Sequence, residues 1–205
     1  MTSPEDIALA IDAGADAVGV ICAESPRRVA LDALPALAAA IPPYVFRIGV
    51  IADQGQREAQ ALRALGFTLQ FSGEESPAQC EALSGGDPYI KVFHVDAAGG
   101  SLDVAAWSGY ARALPMLDAR VLSLRGGTGV TFDWRAAEPI VRARRVVVSG
   151  GLTPENVGAC VRALRPYAVD VRSGIETDGR KDPAKMAEFI SEVTVANGDV
   201  AFIAE

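Results

Sequence analysis

Seven short runs rich in Val and Ile recur along the chain, at 16–22, 45–51, 67–70, 89–93, 114–118, 145–149 and 168–172. Their apolar residues follow one another rather than alternating with polar ones, so each reads as a strand buried on both faces. Segments with helical spacing lie between them, at 30–40, 54–65, 76–83, 134–142, 154–164 and 182–191. Strands covered on both faces and joined through helices run parallel, which confines the chain to an α/β architecture. Four helix starts repeat one device: Ser3-Pro4, Ser76-Pro77, Thr153-Pro154 and Asp182-Pro183 each offer a side-chain cap followed by proline at the first helical position. The stretch 95–113 is the least legible. Its Ala97-Ala98-Gly99-Gly100 reads as a loop before a helix around 102–112.

Such alternation builds either an open doubly wound sheet or a barrel, and the glycines discriminate. A dinucleotide fold places G-x-G-x-x-G after an early strand, and no such motif occurs. The glycine clusters fall late, at 126–129, 150–151 and 174, where a (β/α)8 TIM barrel keeps its phosphate site. A barrel needs an eighth strand, since a gap leaves two unpaired edges. The sequence opens on the Ser3-Pro4 helix with no strand before it. In the tail, Asn197-Gly198-Asp199 reads as a turn and Val200 to Ala204 as an apolar run of strand length. A C-terminal strand there would close a circularly permuted barrel. The alternatives are a frayed tail, a dimer arm, or a first strand absent from this sequence.

Composition bounds the rest. At 205 residues, half of them hydrophobic and 22% charged, the chain reads as one globular domain spanning 1–205. A net charge of -7 argues against nucleic acid as a partner. Cys22, Cys80 and Cys160 are odd in number and lack any C-x-x-C pairing, so they read as buried thiols in a reducing cytoplasm rather than a disulfide or zinc framework. No apolar run approaches the ~20 residues that span a bilayer, and the first residues are unlike a signal peptide. A cytoplasmic protein with no membrane partner is expected.

Three glycine loops carry the chemistry. Gly126-Gly127-Thr128-Gly129, Ser149-Gly150-Gly151 and Arg172-Ser173-Gly174 each follow a strand. Glycine lets backbone N–H groups approach an anion closely, and three such loops at one rim point to a phosphate cradle.

In order along the chain, AGADAVGV, SPRRV, PPYVFRIGV, LQFSGEES, MLDA, GGTGVTFDW, SGGLTPENV, RPYAVDVRSGIE and KDP resemble the phosphoribosylanthranilate isomerase family, the Amadori isomerases of tryptophan synthesis. The resemblance spans residues 2 to about 191. It implies an enzyme that opens an aminofuranose ring and moves a proton from C2 of the sugar, with no metal or organic cofactor, acting as a monomer or homodimer on a small phosphosugar. By the same resemblance Asp118 is the acid. Arg27, beside Arg28, grips the anthranilate carboxylate, a task suited to a bidentate guanidinium. Gln70, Gly127, Thr128, Gly129, Gly150, Gly151, Arg172, Ser173 and Gly174 are then the other substrate-binding residues.

Several positions depart from the family pattern. Its general base is a cysteine in a K-I-C-G segment of the first strand, which this sequence lacks, and no cysteine stands in for it by motif. If the tail fills the vacant slot, Glu205 is a substitute base. The family's H-G-D/E-E is Ser72-Gly73-Glu74-Glu75, its paired serines are Arg172-Ser173, and Val130 replaces a basic residue. His94, the single histidine, sits on a strand end and reads as a satisfied core imidazole, or else as an acid or base. These changes leave two further readings: a paralogue acting on another phosphorylated or carboxylated substrate, or a non-catalytic barrel that binds a sugar phosphate.

Overall fold

The computed structural model describes residues 1–53, 55–94, 104–118 and 137–199. The chain divides into two compact units, Met1–Val92 with Ala105–Leu114, and Phe93–Val104 with Pro115–Glu205.

The first unit opens with α1 (Pro4–Asp12), whose Asp6 N–H donates to the Ser3 hydroxyl at 3.1 Å. There follow β1 (Ala17–Ile21), a 3-10 turn at Leu31–Ala33 running into α2 (Leu34–Ala40), β2 (Phe46–Ile51), α3 (Gln56–Ala64), β3 (Thr68–Phe71), α4 (Pro77–Ser84) and the start of β4 (Tyr89–His94). The strands pair in parallel in chain order, with Gly19 opposite Ile48, Val50 opposite Gln70, and Gln70 opposite Ile90. Helices cover the apolar strands: Ile7, Val18, Val20, Leu34, Leu37, Ile41, Ile51, Leu62 and Phe71 are all buried. At α4 the proline-preceding serine forms a reciprocal cap. The Gln79 N–H donates to the Ser76 hydroxyl, and the Ser76 N–H donates to Gln79 Oε1.

This core also holds a charged pair that the sequence reading did not foresee. Lys91 Nζ lies 2.9 Å from Glu75 Oε2, with both side chains almost fully buried. Glu75 further accepts the Asp53 N–H at 2.8 Å and the Gly73 N–H at 3.1 Å, while Lys91 donates to the Gly73 carbonyl. Burying two charges is tolerable only when they are paired and further hydrogen-bonded, as these are by the Asp53 and Gly73 N–H groups and the Gly73 carbonyl. The pair therefore pins the segments after β2 and β3 onto β4.

The second unit contains the end of β5 (Ala113–Asp118), α5 (Glu138–Ala143), β6 (Val147–Ser149), α6 (Pro154–Leu164), β7 (Ala168–Val169), a small antiparallel pair β8 (Glu176–Thr177) and β9 (Arg180–Lys181), and α7 (Pro183–Asp199). Here β5, β6 and β7 are parallel, with Leu117 opposite Val148 and Val148 opposite Val169. α6 packs on α7, burying Val157, Val161, Leu164, Met186, Phe189 and Ala196. The Asp182 carboxylate caps α7 by accepting the Ala184 and Lys185 N–H groups at 3.0 and 3.3 Å.

Expected strands and helices coincide with observed ones to within a few residues, with three corrections. The helix expected at 102–112 is a short 3-10 segment, Val104–Gly109. The final strand, expected over 168–172, is only Ala168–Val169, because the chain turns into the Ser173–Ile175 3-10 turn. The turn expected at Asn197-Gly198-Asp199 is helix: α7 runs through to Asp199. Its buried face, Met186, Phe189 and Ala196, recurs at three and seven residues, and packing of that face on α6 overrides the local turn preference of Asn-Gly. The tail strand at 200–204 lies outside the described residues. No helix among the described residues is long and apolar enough to cross a membrane.

Candidate active site

Within the second unit, strands that are apolar along their length each finish on a polar residue. β5 ends Met116-Leu117-Asp118, β6 ends Val147-Val148-Ser149, and β7 passes from Val169 into Asp170. Register places Asp118 directly opposite Ser149. The Ser149 hydroxyl in turn donates to Asp170 Oδ2 at 3.2 Å, and the Asp170 N–H donates to the Val148 carbonyl at 2.9 Å. His94 closes β4 and joins this row, its Nδ1 3.7 Å from Asp118 Oδ2. His94 sits at the strand end expected for it, and its imidazole, 35% exposed, is not the satisfied core side chain of the alternative reading.

Asp170 is the site residue that the sequence reading missed. Crowding by surrounding protein pushes its carboxyl above the ordinary aspartate range even though water reaches the residue. The Ser149 hydroxyl opposes that shift, the charge of Asp118 adds to it, and Arg172 and Lys181 oppose it. The sequence did hold a signal: an acid closing an apolar strand run, as Asp118 does one strand earlier.

Two of the three glycine loops lie within the described residues, and they converge. Gly150 and Gly151 both adopt left-handed backbone, with φ of 94° and 63°, which lets the chain turn sharply from β6 toward α6. Asn156, in the first turn of α6, fastens this turn. Its Oδ1 accepts the Thr153 N–H at 2.8 Å and its Nδ2 donates to the Gly151 carbonyl at 2.9 Å. Gly174, after β7, packs against the carbonyl of Leu152 so closely that a Cβ there would collide with it. Arg172 and Ser173 are exposed on the same loop, and the Arg172 carbonyl is held by Lys181 Nζ at 2.8 Å. Lys181 is fixed in turn by Glu176 Oε1 at 3.0 Å. The α6 N-terminus, preceded by two glycines and facing the Arg172–Gly174 loop, is suited to an anion.

Arg27 and Gln70 belong to the first unit. Arg27 is half-buried in the turn after β1, where its N–H donates to the Ser25 hydroxyl at 3.2 Å. Gln70 is half-buried on β3 and donates through Nε2 to the Ser72 hydroxyl at 3.3 Å. The loop carrying Gly127, Thr128 and Gly129, together with Val130 and the terminal Glu205, lies outside the described residues. The three thiols are all buried. Burial pushes Cys80 up to about 11 and Cys160 up to about 12, and raises Cys22 as well, so these are packing residues rather than thiolate bases.

Comparison with known proteins bears on this arrangement. A family model described as N-(5'phosphoribosyl)anthranilate (PRA) isomerase matches residues 1–192. A Thiobacillus denitrificans protein named N-(5'-phosphoribosyl)anthranilate isomerase is 45% identical over 196 residues, covering 94% of each chain. The crystal structure of phosphoribosyl anthranilate isomerase from Thermotoga maritima superposes with a TM-score of 0.82 at 31% identity, over 95% of this chain and 96% of that one. Another solved phosphoribosyl anthranilate isomerase, in complex with reduced 1-(o-carboxyphenylamino)-1-deoxyribulose 5-phosphate, matches with a TM-score of 0.80 at 30% identity, over 95% of each chain.

Proposed function

Because the chain belongs to the N-(5'-phosphoribosyl)anthranilate isomerase family, we propose that it converts N-(5'-phosphoribosyl)anthranilate to the corresponding 1-(o-carboxyphenylamino)-1-deoxyribulose 5-phosphate. The observation that carries this reading is the row of Asp118, Ser149 and Asp170 at successive strand ends, beside the converging Gly150-Gly151 and Arg172–Gly174 loops. A proton donor and an anion cradle then share one end of one unit.

Asp118 is the acid in this reading. It protonates the furanose ring oxygen as the C1–O bond breaks, and the electron pair of that bond stays on the oxygen as it becomes a hydroxyl. The amine nitrogen lone pair stabilises the resulting iminium at C1. Loss of the C2 proton gives an enamine-enol that tautomerises to the ketose. The phosphate is held by amides of the Gly150-Gly151 and Arg172–Gly174 loops, with Gly127, Thr128 and Gly129 completing the cradle, and Arg172 adds a cation at its rim. Arg27 pairs with the anthranilate carboxylate and Gln70 contributes a hydrogen bond. Glu205 is the sequence-based candidate for the base that takes the C2 proton. The alternation of parallel strands and helices, with the likeness to a solved phosphoribosyl anthranilate isomerase over 95% of the chain, supports a (β/α)8 barrel as the frame.

The test is turnover by the purified chain, with growth of a tryptophan auxotroph lacking the isomerase as its counterpart in cells. Wild type is expected to turn over, and Asp118→Asn to lose about 10²–10⁴-fold in kcat. Glu205→Gln in the same assay tests the base. A folded wild-type chain that converts none of this substrate would refute the reading.

A further inference from the structure

The short hairpin of β8 and β9 shields a lysine. Long cationic side chains ordinarily keep the ammonium in water, and Thr177, Asp178, Gly179 and Arg180 around it are all exposed. Yet the Lys181 side chain is only 10% exposed, and its partner Glu176 only 5%. The two residues face each other across the hairpin, with Nζ 3.0 Å from Glu176 Oε1. The hairpin is fastened in its turn. The Thr177 hydroxyl donates to Asp182 Oδ2 at 2.7 Å, the Asp182 N–H donates to the Ile175 carbonyl at 3.0 Å, and Lys185 Nζ donates to the Glu176 carbonyl at 2.9 Å. Shielding two charges costs desolvation, which a solvated surface pair would avoid. What the ammonium holds is the anion loop: Nζ also donates to the Arg172 carbonyl at 2.8 Å. At its other end the same loop is packed, through Gly174, on the Leu152 carbonyl. The Arg172–Gly174 loop is therefore gripped from both sides. The Lys181 charge, with that of Arg172, also reaches Asp170 in the row of strand-end groups.

We propose that Lys181 is the positioning residue of the phosphate cradle: its ammonium, held by Glu176, fixes the Arg172 carbonyl and with it the direction in which the Ser173 and Gly174 amides meet a dianion. The lysine does not touch the phosphate in this scheme. It acts through the backbone it holds, and its charge adds a positive field at the loop. An ammonium suits the task, since a compact cation with three donors can bind a carboxylate and a carbonyl at once. The inference rests on the reading of these loops as the phosphate site, and its first readout needs no turnover.

Titration calorimetry with ribose 5-phosphate, and with ribose as its control, reads the cradle directly. Wild type should bind the phosphate ester and not the free sugar. Lys181→Met should weaken that binding about tenfold, the scale of one charge-assisted hydrogen bond. Kinetics supply the second readout: KM for N-(5'-phosphoribosyl)anthranilate should rise by a similar factor, with kcat at saturation little changed. Lys181→Arg, which keeps the charge and the donors, should recover most of the loss. Because Lys181→Met strands a shielded carboxylate, the double variant Lys181→Met with Glu176→Gln removes that charge. It should melt closer to wild type and still bind ribose 5-phosphate weakly. Variants that melt lower yet bind as wild type does would make the lysine a brace of the fold alone and overturn the proposal. A fall in kcat at unchanged KM, or a wild type with no affinity for ribose 5-phosphate, would overturn it too. The failures separate: a wild type that binds ribose 5-phosphate without turnover removes the isomerase reading and leaves Lys181 in place, whereas an active wild type whose variants keep full affinity removes the Lys181 inference alone.

Discussion

Gly174 and the Leu152 carbonyl oxygen stand so close that no side-chain carbon fits between them. The contact ties the loop after β7 to the loop after β6, and the obstructing atom belongs to backbone that cannot swing aside. Gly174→Ala must therefore push the two loops apart. A destabilisation of about 1–3 kcal/mol is expected from such overpacking, together with a raised KM for the phosphorylated substrate. Thermal melting and steady-state kinetics read the two effects. An alanine variant with unchanged KM would separate this contact from anion binding.

The buried Lys91–Glu75 pair predicts a large asymmetry between breaking it and removing it. Lys91→Met leaves the Glu75 carboxylate buried beside only the Asp53 and Gly73 N–H groups. A loss of about 3–5 kcal/mol is expected in urea unfolding. The double variant Lys91→Met with Glu75→Gln should lose less than the sum of its single changes, because the stranded charge is gone.

Cysteine chemistry is expected to be silent in the folded protein. With thiols held at about 11 for Cys80 and about 12 for Cys160, and Cys22 also raised and buried, almost no thiolate exists at pH 8. An alkylating reagent should leave turnover intact. Modification should follow the unfolding curve, all three residues reacting together once urea opens the core. Rapid labelling of Cys22 in native protein, with loss of activity, would reopen the question of a thiol base.

Helix α7 makes its own prediction at Gly198, which is helical and has open space around the position of a Cβ. Gly198→Ala should stabilise the fold, by up to about 1 kcal/mol and less if the last turn frays. A turn at 197–199 would gain nothing from alanine there.

Most of the secondary structure was legible because the strands are apolar on both faces and the helices announce their starts. Ser3, Ser76 and Asp182 each cap the helix that their following proline suggested. What escaped was decided by partners distant in sequence. Asn197-Gly198 is a turn dipeptide until α6 claims the face of the helix on which it lies. Lys91 inside an apolar run gives no hint that Glu75, sixteen residues earlier, neutralises it. Asp170 was folded into a longer expected strand, and only the shortening of β7 to two residues shows it as a strand-end acid. His94 is legible as the end of a strand, but nothing local in the sequence says that the Asp118 carboxylate closing the next strand lies beside it. The strand-end place of Asp118 and the turns at Gly150, Gly151 and Gly174 were legible since their local motifs carry position as well as type.

Asp118, Ser149 and Asp170 are each the first polar letter after an apolar word, and that punctuation has an evolutionary consequence. The apolar residues that hold each strand in the core and the polar residue that closes it are adjacent in sequence but do separate work. A lineage can therefore rewrite the final character of a strand, trying new reactivity, while the hydrophobic text before it goes on specifying the same molecule.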